Sequence, residues 1–467
     1  MTELHAELEA IVGVGALLTD RVDLIAYGFD GTFFDSAPPL VVLPNTVEQV
    51  AAIHRVASRR RVPITPRAMG SGLSGGSVPL DGSIVLGIAR MNRVIAIDPI
   101  DRVAVVEPGV ITAQLQALVE RQNLFYPPDP SSIRQSAIGG NVAENAGGAR
   151  GLKYGVTGDY VLALQVVLPD GTIVRFGGRS MKNVTGYNLR ALFTGAEGTL
   201  GTITEITLKL LGKPKFARTA LAVFDRIDDA AQTVNAVMQS GLLPTSAELL
   251  DNFTLRCIEE HAPLGLPLDA DAILLFGTDG NHEEIVSAET AAIADIARAH
   301  QARGVTVARD AVEAERLWAA RRAISPSLAR RRPNKLGEDI AVPRRAIPEI
   351  VRRVREIAAK YQLEIPLFGH IGDGNLHPNI LCDKTDPQEM ARVTAAAREI
   401  FEAAVALGGT LSGEHGIGLL KKQFLELDLG PDVIALMRRI KDAVDPNGIM
   451  NPGKIFPDPG GIEAFRL

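Results

Sequence analysis

Several things are scarce in this chain. Cys257 and Cys382 are the only two cysteines in 467 residues, too few for a disulfide framework or a zinc–cysteine cluster. Aromatic residues make up 5%, with Trp318 the single tryptophan. No stretch reaches the roughly 18 uninterrupted apolar residues of a membrane-spanning helix. The N-terminus carries Glu3, Glu7 and Glu9 and no basic leader before an apolar run. It therefore does not read as a secretory signal or an Arg-rich transit peptide. The expected location is the cytoplasm, with a peripheral place at the membrane as an option. The formal net charge of −6 argues against a nucleic-acid binder. There is no repeat and no low-complexity tract.

What is present describes a folded protein of more than one domain. The chain is too long for one ordinary core, so two or three domains are expected. Hydrophobic residues at 46% and charged residues at 22% fit a globular rather than a disordered chain. Residues 3–19 read as a short amphipathic helix. From Ala37 short β-rich runs alternate with helices, and Thr46 with Gln49 has capping-box spacing before a helix to about Arg59. Residues 125–160, rich in Gly, Pro, Ala and Asn, read as a long loop, a kind usually kept for function. A dense helix–strand region follows from about 213 to 412, and a last helix covers about 431–444. Arg59–Arg61 read as a solvated helix end. Cys257 reads as a packed residue, and His54, His261, His282 and His300 receive no role.

Three glycine-rich segments carry information. The first runs from Pro66 and Arg67 through Gly70, Ser71, Gly72, Leu73, Ser74 and Gly75 to Ser77. Its G-x-G-x-x-G spacing suggests a dinucleotide fingerprint, but that motif must open a helix in a βαβ unit. Here Pro79 and Asp81-Gly82 lead straight to another strand, and no Gly-Lys-Ser/Thr is present, so neither that motif nor a P-loop applies. Two readings stay open: a turn rich in glycine for geometry alone, or a nest of backbone N–H groups that binds phosphate oxygens. The second segment runs from Pro128-Asp129 through Gly139-Gly140, Asn145 and Gly147-Gly148 to Tyr154-Gly155 and Gly158-Asp159. The third runs from Lys182 through Tyr187 to Glu197-Gly198 and Ile203. Paired glycines let backbone approach an extended ligand closely. Together the three suit a large ligand with a pyrophosphate.

The C-terminal half holds Phe368-Gly369-His370-Ile371-Gly372-Asp373-Gly374-Asn375-Leu376-His377, and then Ser412-Gly413-Glu414-His415-Gly416. The spacing of His370 and His377 fits no single helix face, but a strand-turn-strand could converge them. Two imidazoles and a carboxylate commonly hold a divalent ion. Packed or surface histidines are the plainer alternative.

These motifs, in this order, resemble the FAD-dependent oxidoreductases of the vanillyl-alcohol oxidase / p-cresol methylhydroxylase superfamily, and within it the D-2-hydroxyacid dehydrogenases. The likeness runs from Leu17-Leu18-Thr19-Asp20 to Asn451-Pro452-Gly453-Lys454. It implies an α+β protein: a two-part FAD-binding domain of the p-cresol methylhydroxylase type, and an α+β cap domain with an antiparallel sheet. The implied boundaries are 1–212 for the FAD domain, 213–411 for the cap, and 412–467 for a segment returning to the FAD domain. By the same likeness, Gly70 to Ser77 and Pro128-Asp129 would line the pyrophosphate, with Pro66 and Arg67 also binding the cofactor. Gly139, Gly140, Asn145, Gly147, Gly148, Tyr154, Gly155, Gly158 and Asp159 would hold the rest of the cofactor, with Glu197, Gly198, Ile203 and Asn451. Some relatives attach FAD through a histidine in the first loop; that loop has none here, so noncovalent FAD is expected.

The resemblance also implies His370, His377 and Glu414 as ligands of zinc or manganese, and His415 as general base. Arg321, Ser325, Lys335 and Asn379 match substrate-contacting positions. A bidentate Arg on a carboxylate is physically apt. A solvated basic helix face is the alternative for Arg321, since Arg322, Arg330, Arg331 and Arg332 follow. The implied reaction is oxidation of a D-2-hydroxy acid, D-lactate or glycolate first and D-2-hydroxyglutarate second. Electrons would pass to an external acceptor: a quinone, a cytochrome, an electron-transfer flavoprotein or an iron–sulfur subunit. A homodimer is an option. The rival classes are a flavin-free metal hydrolase and a noncatalytic flavin-binding subunit.

Overall fold

A computed structural model describes residues 2–80 and 82–460. Local chemistry sets the first elements. The opening helix, Thr2–Val12, is shorter than its apolar spacing suggested. Gly13 and Gly15 at φ 84° and 79° end it, and Leu17–Leu18 becomes a strand antiparallel to Val41–Val42. The helix Val47–Arg60 is capped as expected, with Thr46 accepting from the Gln49 amide. The Gln49 side chain, however, accepts from Asn45 N at 2.7 Å rather than closing the box on Thr46. Arg59 and Arg60 are not simply solvated: each reaches a Glu7 oxygen at 2.5 Å. Exposed pairs of this kind add little to stability.

The chain divides into two compact units. The first comprises the described residues up to 146, then 156–213, then 414 onward. It has two sheets. In one, Leu17–Leu18, Val41–Val42, Ile64–Arg67 and Ile84–Gly87 assemble with the last three strands parallel. Its core gathers Leu40, Val41, Val50, Ile53, Ile64, Val85 and Met450. In the other, five antiparallel strands lie in the order Val94–Asp98, Val103–Val106, Thr202–Lys209, Val161–Val167, Ile173–Gly177. The stretch 125–160 is not one long loop; it contains the short helices Ile138–Glu144, Gly151–Tyr154 and Thr157–Tyr160.

The second unit comprises 214–413 and also 147–155. The sequence reading had grouped the latter stretch with the FAD domain. Asp279 accounts for the difference. Lys153 Nζ donates to its Oδ1 at 2.6 Å, and the Tyr154 hydroxyl lies 2.9 Å from both of its carboxylate oxygens. The unit is built on an antiparallel sheet ordered Ala302–Val307, Phe216–Phe224, Ala272–Gly280, Ser246–Asp251, Leu367–His370, Asn375–Cys382, Asn334–Gly337. The fold is thus mixed α+β with an antiparallel-sheet cap domain. Among the described residues no helix is long and apolar enough to cross a membrane.

His54, given no role from sequence, is fully buried. Its ring nitrogens lie 2.9 Å from Leu168 O and from Thr202 Oγ1. Burial pushes its pKa down to about 4, against the pull of Leu168 O and the Asp445 carboxylate. The unfolded chain therefore binds a proton below about pH 6.5 that the folded chain refuses until about pH 4. The stabilisation is whole above the unfolded value and lost as pH falls through that window. Thermal midpoints recorded from pH 7 to 4.5 should fall less steeply for His54→Gln, which bonds without titrating; equal slopes would sink the assignment.

Candidate active site

The hairpin Leu367–His370/Asn375–Cys382 carries both histidines. Its register pairs Phe368 with His377 and His370 with Asn375. His370 and His377 are therefore diagonal neighbours on one sheet face, and their ring centroids lie 5.2 Å apart. Gly369 at φ 148° and Gly374 at φ 85° shape the hairpin. A Cβ on Gly374 would collide with Val342 O, so the turn requires glycine there.

Each imidazole faces a buried carboxylate that sequence reasoning missed. Glu248 Oε1 lies 2.5 Å from His370 Nδ1, and its other oxygen accepts from Arg321 Nε at 2.5 Å. Burial alone would raise the Glu248 pKa, but the positive charges of His370 and Arg321 prevail and hold it at about 2. Asp339 Oδ1 lies 3.5 Å from His377 Nδ1. Asp339 also accepts from Asn375 Nδ2 at 2.6 Å and from Ser412 Oγ at 2.9 Å. The sequence signal for Glu248 was a charge set between Ala247 and Leu249-Leu250 inside Ser246–Asp251, a strand buried at every position.

The substrate candidates lie on the same unit. Arg321 does not sit on a solvated face: its guanidinium packs over the Phe368 ring at 5.5 Å and pairs with Glu248. Arg322 is the one that turns outward, to Glu315. One helical turn after Arg321, Ser325 Oγ accepts from Lys335 Nζ at 2.8 Å. Asn379 is buried two residues beyond His377, on the same strand face, and donates to His377 O.

The first unit collects most of the glycine-loop residues. Among the described residues, the amides of Ser71, Gly72, Leu73 and Ser74 donate to no protein acceptor. Four unclaimed N–H groups in succession form the kind of nest that receives an anion. Ser74 Oγ accepts from Gly76 N, and Arg67 donates to Ser77 Oγ at 3.3 Å. A Cβ on Gly198 would lie 3.2 Å from Pro66, and one on Gly140 would lie 3.6 Å from Ala68, so these segments converge. Asn145, at φ 54°, accepts from Gly158 N at 2.8 Å. Asn451 Nδ2 ties Gly76 O to Glu197 O at 2.8 and 2.7 Å. Ile203 is buried. The Pro128 carbonyl is held by Gln116, and Asp129 follows it. Asp159 accepts from Val156 N. Gly147, Gly148, Tyr154 and Gly155 fall in the second unit, and Lys182–Tyr187 stand in solvent.

Glu414 and His415 open the last stretch of the first unit. His415 Nε2 lies 3.9 Å from Glu414 Oε1. The segment behind them is anchored on the glycine loops. Ile417 N and Gly418 N donate to the two Glu197 oxygens at 2.8 and 2.7 Å, and Leu419 N and Leu420 N donate to Ser74 O. Gly416 is at φ 84°, and any Cβ there would strike the Glu144 carboxylate.

Comparison with known proteins bears on the family and the fold. The profile of the FAD binding domain matches residues 38–177. That of the FAD linked oxidases, C-terminal domain, matches residues 213–455. The chain is 46% identical over 433 residues to the glycolate oxidase subunit GlcD of Bacillus subtilis strain 168, covering 92% of each protein. It is 36% identical over 459 residues to the D-2-hydroxyglutarate dehydrogenase of Stutzerimonas stutzeri strain A1501, covering 96% of this chain and 98% of that protein. Among solved structures it is similar to p-cresol methylhydroxylase with substrate bound, with a TM-score of 0.80 at 19% identity, covering 98% and 97% of the two chains.

Proposed function

The chain belongs to the FAD-linked oxidases, and from that premise we propose that it oxidises the C2 hydroxyl of a D-2-hydroxy acid to the 2-oxo acid. D-lactate or glycolate is the first choice of substrate. The observation that carries this reading is the carboxylate of Glu248, shared between Arg321 and His370. It sets a guanidinium suited to a substrate carboxylate beside an imidazole pair suited to an ion that grips the adjacent hydroxyl.

The residues present fit both absent groups. The four unclaimed amides of 71–74 suit a pyrophosphate, and FAD is held without a covalent bond through the first loop, which has no histidine. Glu248 engages Nδ1 of His370, the kind of carboxylate contact that orients a ligating histidine. We assign the ion, zinc or manganese, to His370, His377 and Glu414. When bound, FAD supplies a hydride acceptor and the ion supplies Lewis acidity.

The chain's own residues do the rest. Arg321 and Asn379 orient the substrate carboxylate. His415 takes the hydroxyl proton as the C2–H bond breaks and the C–O double bond forms. The two electrons then leave to an external acceptor: a quinone, a cytochrome, an electron-transfer flavoprotein or an iron–sulfur subunit. A second reading, D-2-hydroxyglutarate, is favoured by the Ser325–Lys335 pair, which offers a second cation to a second carboxylate. Mixing the purified holoenzyme anaerobically with the D- and L-forms of lactate and 2-hydroxyglutarate and with achiral glycolate, with and without chelator, tests the assignment. Bleaching of the flavin by a D-acid or by glycolate, and by no L-acid, is expected. No bleaching by any of them would defeat it.

A further inference from the structure

We propose that residues 179–189 form a docking surface for an electron-accepting protein whose own face has an apolar centre ringed by carboxylates. The proposal rests on the flavin-dependent oxidation argued above.

The position of this loop comes from the sheet register. Ile173–Gly177 is an edge strand of the five-stranded sheet, and Gly177 pairs with Ala163. Gly178 N then donates to Leu162 O at 3.3 Å, a few residues past Gly158 and Asp159. The chain returns through the helix Leu189–Phe193, where Arg190 donates to Val161 O at 3.0 Å, and runs on into Glu197 and Gly198. Both roots of the loop thus adjoin segments assigned to the cofactor. A partner seated here has a short route for the two electrons released in each turnover. A one-electron acceptor takes them singly, so two partner molecules are reduced in each turnover, and the two protons pass to solvent.

The loop's chemistry is that of a contact surface. Every residue from 179 to 189 is exposed. Val184 at 98% and Tyr187 at 94% are the two most exposed large apolar side chains among the described residues, with Met181 at 62%. The loop is nonetheless shaped: Thr185 N donates to Asn183 Oδ1 at 3.0 Å, and Gly186 turns at φ 79°.

Charge identifies the partner. Between Asp170 and Glu197 there are four cations and no acid, in a chain whose net charge is −6. Arg175 is paired with Glu205 and Arg190 with Val161 O, whereas Arg179 and Lys182 engage no protein group among the described residues. An apolar centre with a charged rim is the anatomy of a protein interface, with Tyr a frequent anchor. A cavity of about 620 Å³ beside the edge strand meets the loop at Leu189; Val174, Phe176 and Leu192 line it with Asp170 and Asp445, and this concave socket suits a partner's side chain better than a flat lipid surface.

The test compares acceptors for substrate-reduced holoenzyme. A small dye reports the chemistry alone. An acidic plant plastocyanin and a basic mitochondrial cytochrome c serve as protein probes. Plastocyanin should be reduced faster than cytochrome c, and its rate should fall with added salt. Lys182→Glu, Val184→Asp and Tyr187→Asp should each lower the plastocyanin rate by about tenfold or more while dye reduction stays unchanged. Lys182→Arg should keep the wild-type rate. Equal use of the two proteins, or indifference to the loop variants, would overturn the proposal. So would loop-dependent binding to protein-free vesicles of phosphatidylcholine and phosphatidylglycerol, or a self-association that the variants abolish. Loss of dye reduction in the wild type would instead defeat the oxidation on which the proposal rests.

Discussion

Replacing His415 with alanine is expected to lower kcat by about 10²–10⁴-fold, the usual worth of a general base. The loss should lie in the rate of flavin reduction, measured by anaerobic stopped flow, because the deleted group acts on the hydroxyl proton as the hydride departs. Flavin content should not change. The groups assigned to the cofactor belong to residues 71–74, 145 and 197, and the backbone behind His415 is held by Glu197 and Ser74 without the help of the His415 side chain. KM should move little, since Arg321 and Asn379 rather than His415 are assigned to the substrate carboxylate. Added imidazole should restore part of the rate if the missing function is proton transfer. A His415→Ala enzyme within threefold of the parent would remove His415 as the base and leave the proton without an assigned acceptor.

How much of this was legible in the sequence depends on the kind of signal. The glycine loops and the strand-turn-strand carrying His370 and His377 were readable, because backbone demands leave glycine and turn residues at fixed spacing. Single strands followed from β-branched runs such as Val103–Val106, but which strands pair, and in which sense, did not. What could not be read was which buried charge meets which. Glu248 and Arg321 are 73 positions apart, and His54 and Thr202 are 148 apart. No local pattern encodes such a pairing. The same limit explains residues 147–155: composition groups them with the glycine loops, but Asp279, far along the chain, claims Lys153 and Tyr154. The opening helix failed for a local reason, since apolar spacing continued past two glycines whose positive φ breaks it. The tip of the 179–189 loop failed for another. Glycine content there marks a turn, and nothing in composition says that Val184 and Tyr187 stay uncovered.

Glu248 is where the largest coupled effect should appear. Its side chain is fully buried and carries two partners, His370 and Arg321, whose side chains are 7% and 14% exposed. Glu248→Ala leaves the guanidinium buried beside no carboxylate, a change that costs about 3–5 kcal/mol when one partner of a buried pair is removed. It also frees the His370 ring to turn, and losing the group that orients a ligating histidine typically costs about 10–100-fold in metal affinity. Glu248→Gln separates the two consequences. The amide oxygen still accepts one bond and the volume is conserved, so the fold should survive; the lost charge should still weaken both the ion and the hold of Arg321. The expected pattern for Glu248→Gln is a thermal midpoint near that of the parent, a metal dissociation constant raised by about tenfold in competition with a chelator, and a raised KM. Metal affinity unchanged in Glu248→Gln would mean that Glu248 merely neutralises Arg321, and that the ion, if one binds, does not depend on the orientation of His370.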